Sequence, residues 1–389
     1  MATFRYRLRS ASDPVSVDDY RALARRRVPA MAWAYLERGA ESEVTFAANR
    51  DAFSRWALRQ RVLTGIESAK LGVEVAGLDL SMPLLAAPTG LSGIAHPGGE
   101  PAIARATEAM GTRAVVSTAA SYTIEEVAES VGGHHFFQLY PGPAGTDLTE
   151  RFIDRAREAG YLGLMVTVDT ATIGNREAER RAGMGMPPTL TPLTVLNALT
   201  RPRWCYGYAK EGRVVARNFV EAAGARAGVE AVRQHARVVR PDLVWDDVAR
   251  MRERWDGKFM IKGILDPDDA AKAVEIGADG IVVSNHGGRQ LDGAQATLDA
   301  LPAIVDRVGG RTAILLDGGV RRGADIVKAL CLGADAVMIG RPCLYGLAAA
   351  GQPGVERILD ILRTELETTM LLMGVGDVGD LNQECLLPA

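Results

Sequence analysis

Cysteine is scarce. Four thiols, Cys205, Cys331, Cys343 and Cys385, are spread over 389 residues with no CxxC spacing, which argues against a thiolate metal site or a redox pair. Cys331 and Cys343 sit among apolar residues and read as inert buried thiols. Charge of one sign is not in excess either. A formal net charge of −3 does not suit a surface that holds nucleic acid by bulk electrostatics. No apolar run reaches the roughly 18 residues of a membrane-spanning helix. Residues 1–9 (MATFRYRLR) lack the apolar centre of a signal peptide, so a cytoplasmic location is expected. No GxGxxG follows the first candidate strand, which weakens an open doubly wound dinucleotide fold. The remainder, 47% hydrophobic and 24% charged, is ordinary soluble composition. The length suits one large α/β barrel or two to three smaller domains.

From residue 83 one pattern repeats. A short apolar run ends in a polar or glycine-rich turn, and an amphipathic helical stretch usually follows. The runs are 83–88 (PLLAAP), 113–117 (RAVVS), 135–140 (HFFQLY), 163–169 (GLMVTVD), 258–263 (KFMIKG), 280–285 (GIVVSN), 312–318 (TAILLDG) and 335–341 (DAVMIGR). They read as strands buried on both faces. Asp266 is placed to cap a helix whose first turn holds Pro267, and Gly277 and Gly333 read as helix stops. Eight alternating units predict an α/β fold, the (β/α)8 TIM barrel, spanning 83–374 within a single domain of 1–389. Residues 1–80 are expected to form a largely helical leader. Residues 186–243 form an insertion after strand 4, too long for an ordinary connection and suited to a lid, an acceptor surface or a contact surface. Within it, 190–208 mixes Leu, Trp and Tyr with Arg201 and Arg203. Packing against a neighbouring subunit is favoured there, with a membrane face as the alternative.

The most informative stretch is Val283-Ser284-Asn285-His286-Gly287-Gly288-Arg289-Gln290-Leu291-Asp292-Gly293. It places an imidazole, able to move a proton near neutral pH, three residues from a guanidinium, able to grip a carboxylate with two parallel bonds. Two glycines between them let the backbone turn sharply. In a barrel the carboxyl ends of all strands meet at one face. Those ends carry Pro88-Thr89-Gly90, Ser117, Gln138 with Tyr140, Thr167 with Asp169, Lys262, Ser284 with His286 and Arg289, Asp317-Gly318-Gly319 with Arg321, and Gly340-Arg341. Left unpaired and buried, such groups would cost about 1–3 kcal/mol each, whereas a large polar ligand would satisfy them together. Glycine-freed amides and arginines after strands 7 and 8 fit the phosphate of that ligand. Lys262 reads as a fixed positive charge beside an electron-rich ring.

These motifs resemble the FMN-dependent L-2-hydroxy acid oxidase and dehydrogenase family, which includes glycolate oxidase, lactate oxidase and mandelate dehydrogenase. The resemblance runs from Tyr20 to about Gly374, with SNHGGRQLDG and LDGGVRRGADIVKAL the most specific stretches. It implies a (β/α)8 barrel holding FMN and oxidation of an L-2-hydroxy acid to the 2-oxo acid. It implies His286 as base, Asp169 as its carboxylate partner, and Arg289 with Arg176 as the substrate clamp. Tyr140 and Tyr35 would touch substrate. For FMN it implicates Pro88, Thr89 and Gly90 at the ring edge and Ser117, Gln138, Thr167 and Ser284 along ring and ribityl. Lys262 would sit near the ring position that turns anionic, and Asp317, Gly319, Arg321, Gly340 and Arg341 would hold ribityl and phosphate. No metal is implied. The acceptor (oxygen, a quinone or a carrier protein) is open, as is hydride transfer against a carbanion route. Family members are often tetramers.

Three departures from the family pattern stand out. Gly90 replaces the alanine common in the oxidases, a glycine that mandelate dehydrogenases share. Ala119 stands where glycolate oxidases carry a bulky aromatic, which implies room for a substrate larger than glycolate. Ala182 and Gly183 replace a usual Asn-Arg pair. Residues 245–370 also resemble pre-mycofactocin synthase, a relative acting on a peptide-derived amine, but that relative lacks the arginine equivalent to Arg289. A barrel used only to bind a phosphorylated ligand is a third reading, opposed by the His286–Asp169–Arg289–Arg176 set.

Overall fold

The structure is a computed structural model that describes residues 14–132, 135–185, 188–222 and 240–389. All eight expected strands are present. They are β1 (Leu84–Ala86), β2 (Val115–Ser117), β3 (Phe136–Leu139), β4 (Gly163–Thr167), β5 (Lys258–Ile264), β6 (Gly280–Val283), β7 (Ala313–Asp317) and β8 (Ala336–Ile339). Each pairs in parallel with its sequence neighbours from β2 round to β8, and β8 pairs with β1. An isolated parallel bridge, Ala86 to Ala114, closes the ring between β1 and β2.

The apolar runs are continuous because both strand faces are covered. In β6, Val282 points inward while Ile281 and Val283 pack outward on helices. The inner layer is Leu85, Val115, Phe136, Met165, Met260, Val282, Leu315, Ala336 and Met338, so the barrel is filled rather than hollow. Asp266 caps its helix, accepting from the Asp268 amide at 2.8 Å, and Pro267 opens the first turn. Gly277 and Gly333 follow helix ends with φ of +78° and +98°, as the sequence predicted.

The leader differs from expectation. It is helical over Val17–Arg27, Ala30–Glu37 and Val44–Ser54, but 55–80 is not. Val73–Val75 and Leu78–Leu80 form a hairpin across Ala76-Gly77, both at positive φ. The cause is legible afterwards: Val73, Val75, Leu78 and Leu80 alternate with Glu74 and Asp79 at period two, not 3.6. Val75 and Leu80 join the inner layer and plug one end of the barrel. Trp56–Leu58 pairs with Leu386–Pro388, tying the last residues to the leader.

The described part of the insertion carries helices Pro192–Leu199, Pro202–Glu211 and Arg217–Ala222. Residues 186–187 and 223–239 of the expected 186–243 segment lie outside the described residues, as do residues 1–13 of the leader. Trp204 Nε1 donates to the Ile94 carbonyl at 2.7 Å, and Asn218 bridges the Ile124 amide and the Thr118 carbonyl. Asn197 Oδ1 accepts from the Ala30 amide at 2.8 Å, so the insertion caps the leader helix Ala30–Glu37. Among the described residues no helix is long and apolar enough to cross a membrane.

Candidate active site

At the carboxyl ends of the strands lies one cavity. Tyr35, Pro88, Thr89, Gly90, Tyr140, Thr167, Arg176, Lys262, His286, Arg289, Asp317, Gly319, Arg321, Gly340 and Arg341, all singled out by sequence, line it together with Ala119. Asp169 stands behind His286, and Ser117, Gln138 and Ser284 are buried behind the wall.

His286 follows β6 in a left-handed conformation, φ +59°, and Gly287 and Gly288 continue it at +62° and +73°. A left-handed β-substituted residue costs on the order of 1–3 kcal/mol and needs its surroundings to hold it. Asn285 provides that hold. Its amide exchanges two 2.8 Å bonds with Asn49 of the leader, and its Oδ1 also accepts from the Gly288 amide. The leader helix Val44–Ser54 thus fixes the turn that presents His286.

Asp169 closes the other side. Its Oδ1 and Oδ2 lie 3.0 and 3.1 Å from His286 Nδ1. β5 makes room for it with a bulge at Gly263, φ +108°, where a Cβ would stand 2.7 Å from Asp169 Cβ. With Nδ1–H donating to Asp169, Nε2 is the acceptor facing the Tyr140 hydroxyl at 3.2 Å. Burial holds the imidazole below its ordinary value; Asp169 opposes this, and Lys262 and Arg176 reinforce it. Burial pushes the Asp169 carboxyl up, but His286 and Lys262 outweigh it and leave it below the usual range. Burial, then Asp169, pushes the Tyr140 phenol up. Near neutral pH the triad is therefore phenol, neutral imidazole and carboxylate.

Two guanidiniums face the same space. Arg289 Nη1 donates to the Tyr35 carbonyl at 2.8 Å and the Arg38 carbonyl at 3.0 Å, at the negative end of the helix Ala30–Glu37. Its plane lies 5.1 Å from the Tyr35 ring centroid, and Nη2 lies 2.9 Å from Glu179 Oε1. That charge contact is poorly aligned as a hydrogen bond. Arg176 donates from Nε to the Arg289 carbonyl and from Nη2 to Gln290 Oε1, both at 3.3 Å. Burial and then Arg289 lower the Arg176 pKa, and Glu179 opposes them. The Tyr35 hydroxyl donates to the Gly90 carbonyl at 3.2 Å.

The remaining polar groups form a cradle. Ser117 Oγ donates to Gln138 Oε1 at 3.0 Å, and Gln138 Nε2 to Thr167 Oγ1 at 2.9 Å. Lys262 Nζ donates to Ser284 Oγ at 2.8 Å and stands 3.0 Å from Asp317 Oδ2. Burial lowers the Lys262 pKa, but Asp317 and Asp169 outweigh it, so the ammonium stays charged. Asp317 stands beside that charge and partly balances it. Arg341 lines the cavity and also has partners of its own. Its Nε, Nη1 and Nη2 donate to the carbonyls of Glu37, Gly287 and Arg38, so it straps the leader to the turn after β6 and keeps only part of its fork for a phosphate. Burial, helped by Arg289 and Arg321, lowers it to about 10. Asp317 Oδ1 and Arg321 Nε are buried without partners. An acceptor and a donor stranded at one cavity, with left-handed Gly318 and Gly319 between them in the chain, fit a ligand carrying hydroxyls and a phosphate.

Sequence reasoning passed over Glu179, Gln290, Asn49 and Asn285. Two of them stood inside the stretch it valued most, and Glu179 lies one helical turn beyond Arg176, on the face that Arg289 meets.

A barrel mouth with a polar cradle, a Tyr140–His286–Asp169 chain and paired guanidiniums has the groups a flavin-dependent oxidoreductase acting beside a carboxylate would need. The chain belongs to the FMN-dependent dehydrogenase family, which it matches over residues 24–388, and FMN is its cofactor. It is 41% identical over 382 residues to the L-lactate oxidase of Nostoc sp., covering 96% of this chain and 98% of the relative. It is 37% identical over 371 residues to the (S)-mandelate dehydrogenase of Pseudomonas putida, covering 95% and 93%. The crystal structure of the monotopic membrane protein (S)-mandelate dehydrogenase superposes with a TM-score of 0.92 at 36% identity, over 97% of this chain and all of that one. Oxidation of a 2-hydroxy acid, a CH–OH donor, is thus the reaction class.

Proposed function

We propose that the chain oxidises an L-2-hydroxy monocarboxylate larger than glycolate, of the lactate or mandelate type, to its 2-oxo acid. The observation that carries this reading is the His286 imidazole, set between Asp169 and Tyr140 and facing the same cavity as Arg176 and Arg289. FMN, when bound, accepts the two electrons. Arg176 and Arg289 hold the substrate carboxylate, and Tyr35 and Tyr140 contact its polar atoms. His286 Nε2 takes the proton, from the hydroxyl or from Cα, and Asp169 stabilises the imidazolium that results. The buried cradle groups Ser117, Gln138, Thr167 and Ser284, with Pro88, Thr89 and Gly90, hold the cofactor. Lys262 supplies it with a positive charge. Asp317 Oδ1 suits a ribityl hydroxyl, and Gly319, Arg321, Gly340 and the free donors of Arg341 suit the phosphate. Arg289 also favours a carboxylate substrate over a peptide-derived amine.

Ala119 sets the size limit. A Cβ on Gly90 would stand 3.1 Å from Ala119 Cβ and 3.4 Å from the Tyr35 hydroxyl, so the two small residues stand side by side at one wall of the cavity. Anaerobic mixing with glycolate, L-lactate and (S)-mandelate should bleach the flavin, with glycolate slowest. Ala119→Phe should lower the mandelate rate at least about tenfold while sparing glycolate, since overpacking a filled site costs about 1–3 kcal/mol. No bleaching by any of the three refutes the reading. Recovery in air against recovery only with a quinone or carrier protein identifies the acceptor.

We further propose that the insertion rests on a membrane face. Leu190, Leu193, Leu196, Leu199 and Tyr206 are 60–77% exposed, and Leu193, Leu196 and Leu199 recur every third residue. Arg201 and Arg203 flank them, and a close structural neighbour is described as monotopic. Such an apolar face beside basic residues suits an anionic bilayer surface. The protein should sediment with anionic vesicles, and Leu193→Glu with Leu196→Glu should leave it in the supernatant with flavin reduction intact. A wild-type protein that ignores vesicles and elutes as a larger assembly, which the double variant dissociates, assigns the face to a second copy instead.

A further inference from the structure

One side chain in the richest motif has no role in the chemistry above. Gln290 follows Arg289 directly, and all four of its hydrogen-bonding positions are used. Nε2 donates to the Asp169 carbonyl at 3.0 Å and the Thr172 carbonyl at 2.8 Å. Oε1 accepts from the Gly174 amide at 3.2 Å and from Arg176 Nη2 at 3.3 Å. Exchanging the amide's ends would set oxygen against two carbonyls and NH2 against two donors, so the partners fix its orientation.

The segment it holds is the one that needs holding. Residues 170–176 form neither helix nor strand, so no ladder or helical repeat fixes their course. They begin beside Asp169, which orients His286, and end at Arg176 of the clamp. The backbones also touch: a Cβ on Gly174 would stand 2.3 Å from the Arg289 carbonyl oxygen and 2.7 Å from Gln290 Cα. No other side chain among the described residues bonds to both ends of this segment.

We propose that Gln290 is a positioning residue that couples the proton-transfer pair to the carboxylate clamp, setting the place of Asp169 and Arg176 together. This rests on the function proposed above. A misplacement of about 1 Å at a reacting centre can cost on the order of 100-fold in rate, and one lost amide releases both ends at once.

The test uses the flavin-loaded enzyme and two substitutions. Gln290→Met keeps length without bonding, and Gln290→Asn keeps polarity but is one methylene too short to span both ends. Wild type must first bleach with L-lactate or (S)-mandelate; if it does not, the functional reading fails and not the coupling. Two readouts then separate the ends. The dissociation constant of phenylacetate, which has a carboxylate and no hydroxyl, reports the clamp through the flavin spectrum. The acid limb of flavin reduction against pH reports the imidazole, whose charged and titratable neighbours are Asp169, Lys262 and Arg176 and Tyr140. In either variant that retains flavin, phenylacetate should bind about tenfold or more weakly, as expected when a buried charged group loses its support. The acid limb should move to lower pH, because a displaced Asp169 no longer supports the imidazolium. A shift in only one readout, or in neither, overturns the coupling. Unchanged flavin content and melting temperature alongside both shifts exclude a merely structural role.

Discussion

Replacing His286 with alanine should lower the rate of flavin bleaching by a hydroxy acid about 10²–10⁴-fold, the usual share of general acid–base catalysis, and the protein should stay yellow. The separation follows from the geometry. The cradle that fits FMN is built from Ser117, Gln138, Thr167, Lys262, Ser284 and Asp317, none of which bonds to the imidazole side chain. Among the described residues, the His286 ring bonds only to Asp169 and Tyr140. Alanine keeps a Cβ at the same left-handed position, so the backbone cost is about unchanged, and the Asn285–Asn49 bonds that hold the turn do not involve the imidazole. In wild type the same residue should set the pH dependence. A base must be unprotonated to act, and burial holds the His286 pKa below its ordinary 6.5. Turnover at low substrate should therefore rise with pH to a plateau, with the midpoint of the acid limb below pH 6.5. Stopped-flow bleaching across pH measures both quantities. A variant that reduces flavin at near-native rate would remove His286 from the chemistry, and an acid limb well above 6.5 would contradict its burial.

Much of this arrangement was legible before any coordinates. Eight apolar runs became eight strands, because a strand covered on both faces must be apolar throughout, and few other patterns repeat that way. Their ends converge in any closed barrel, so residues as distant as Tyr140 and His286 could be placed at one mouth from topology alone. The hairpin at 73–80 was missed because two strands of three residues give too short a period to stand out beside three helices. Partnerships were harder still. That Lys262 faces Asp317, that Arg341 spends its donors on leader carbonyls, and that Asn285 grips Asn49 depend on distances between segments far apart in sequence. Residue type shows what a group is able to do; only packing shows which partner already occupies it.

Arg289 illustrates the difference, and its replacement is the second large effect. Arg289→Met should reduce kcat/KM by roughly 3–5 kcal/mol, or about 10²–10³·⁵-fold, the scale for breaking a buried charge pair. The variant suffers two separate losses, the first catalytic and the second of stability. The substrate carboxylate loses one of its two guanidiniums, and Glu179, 7% exposed beside it, becomes a buried carboxylate without its partner. The helix Ala30–Glu37 also loses the donor that bridged the Tyr35 and Arg38 carbonyls. Arg289→Lys keeps the charge but cannot reach two carbonyls, Glu179 and a substrate from one ammonium, so it should recover only part of the loss. The two contributions separate in a cycle with Glu179→Gln, which removes the stranded charge while keeping its shape. The double variant should regain most of the melting temperature lost in Arg289→Met and almost none of the kcat/KM, because the stability cost arises from Glu179 and the catalytic cost from the missing clamp. Equal recovery of both would mean that Arg289 acts only by holding Glu179 and the leader in place, and would leave Arg176 as the sole grip on the substrate.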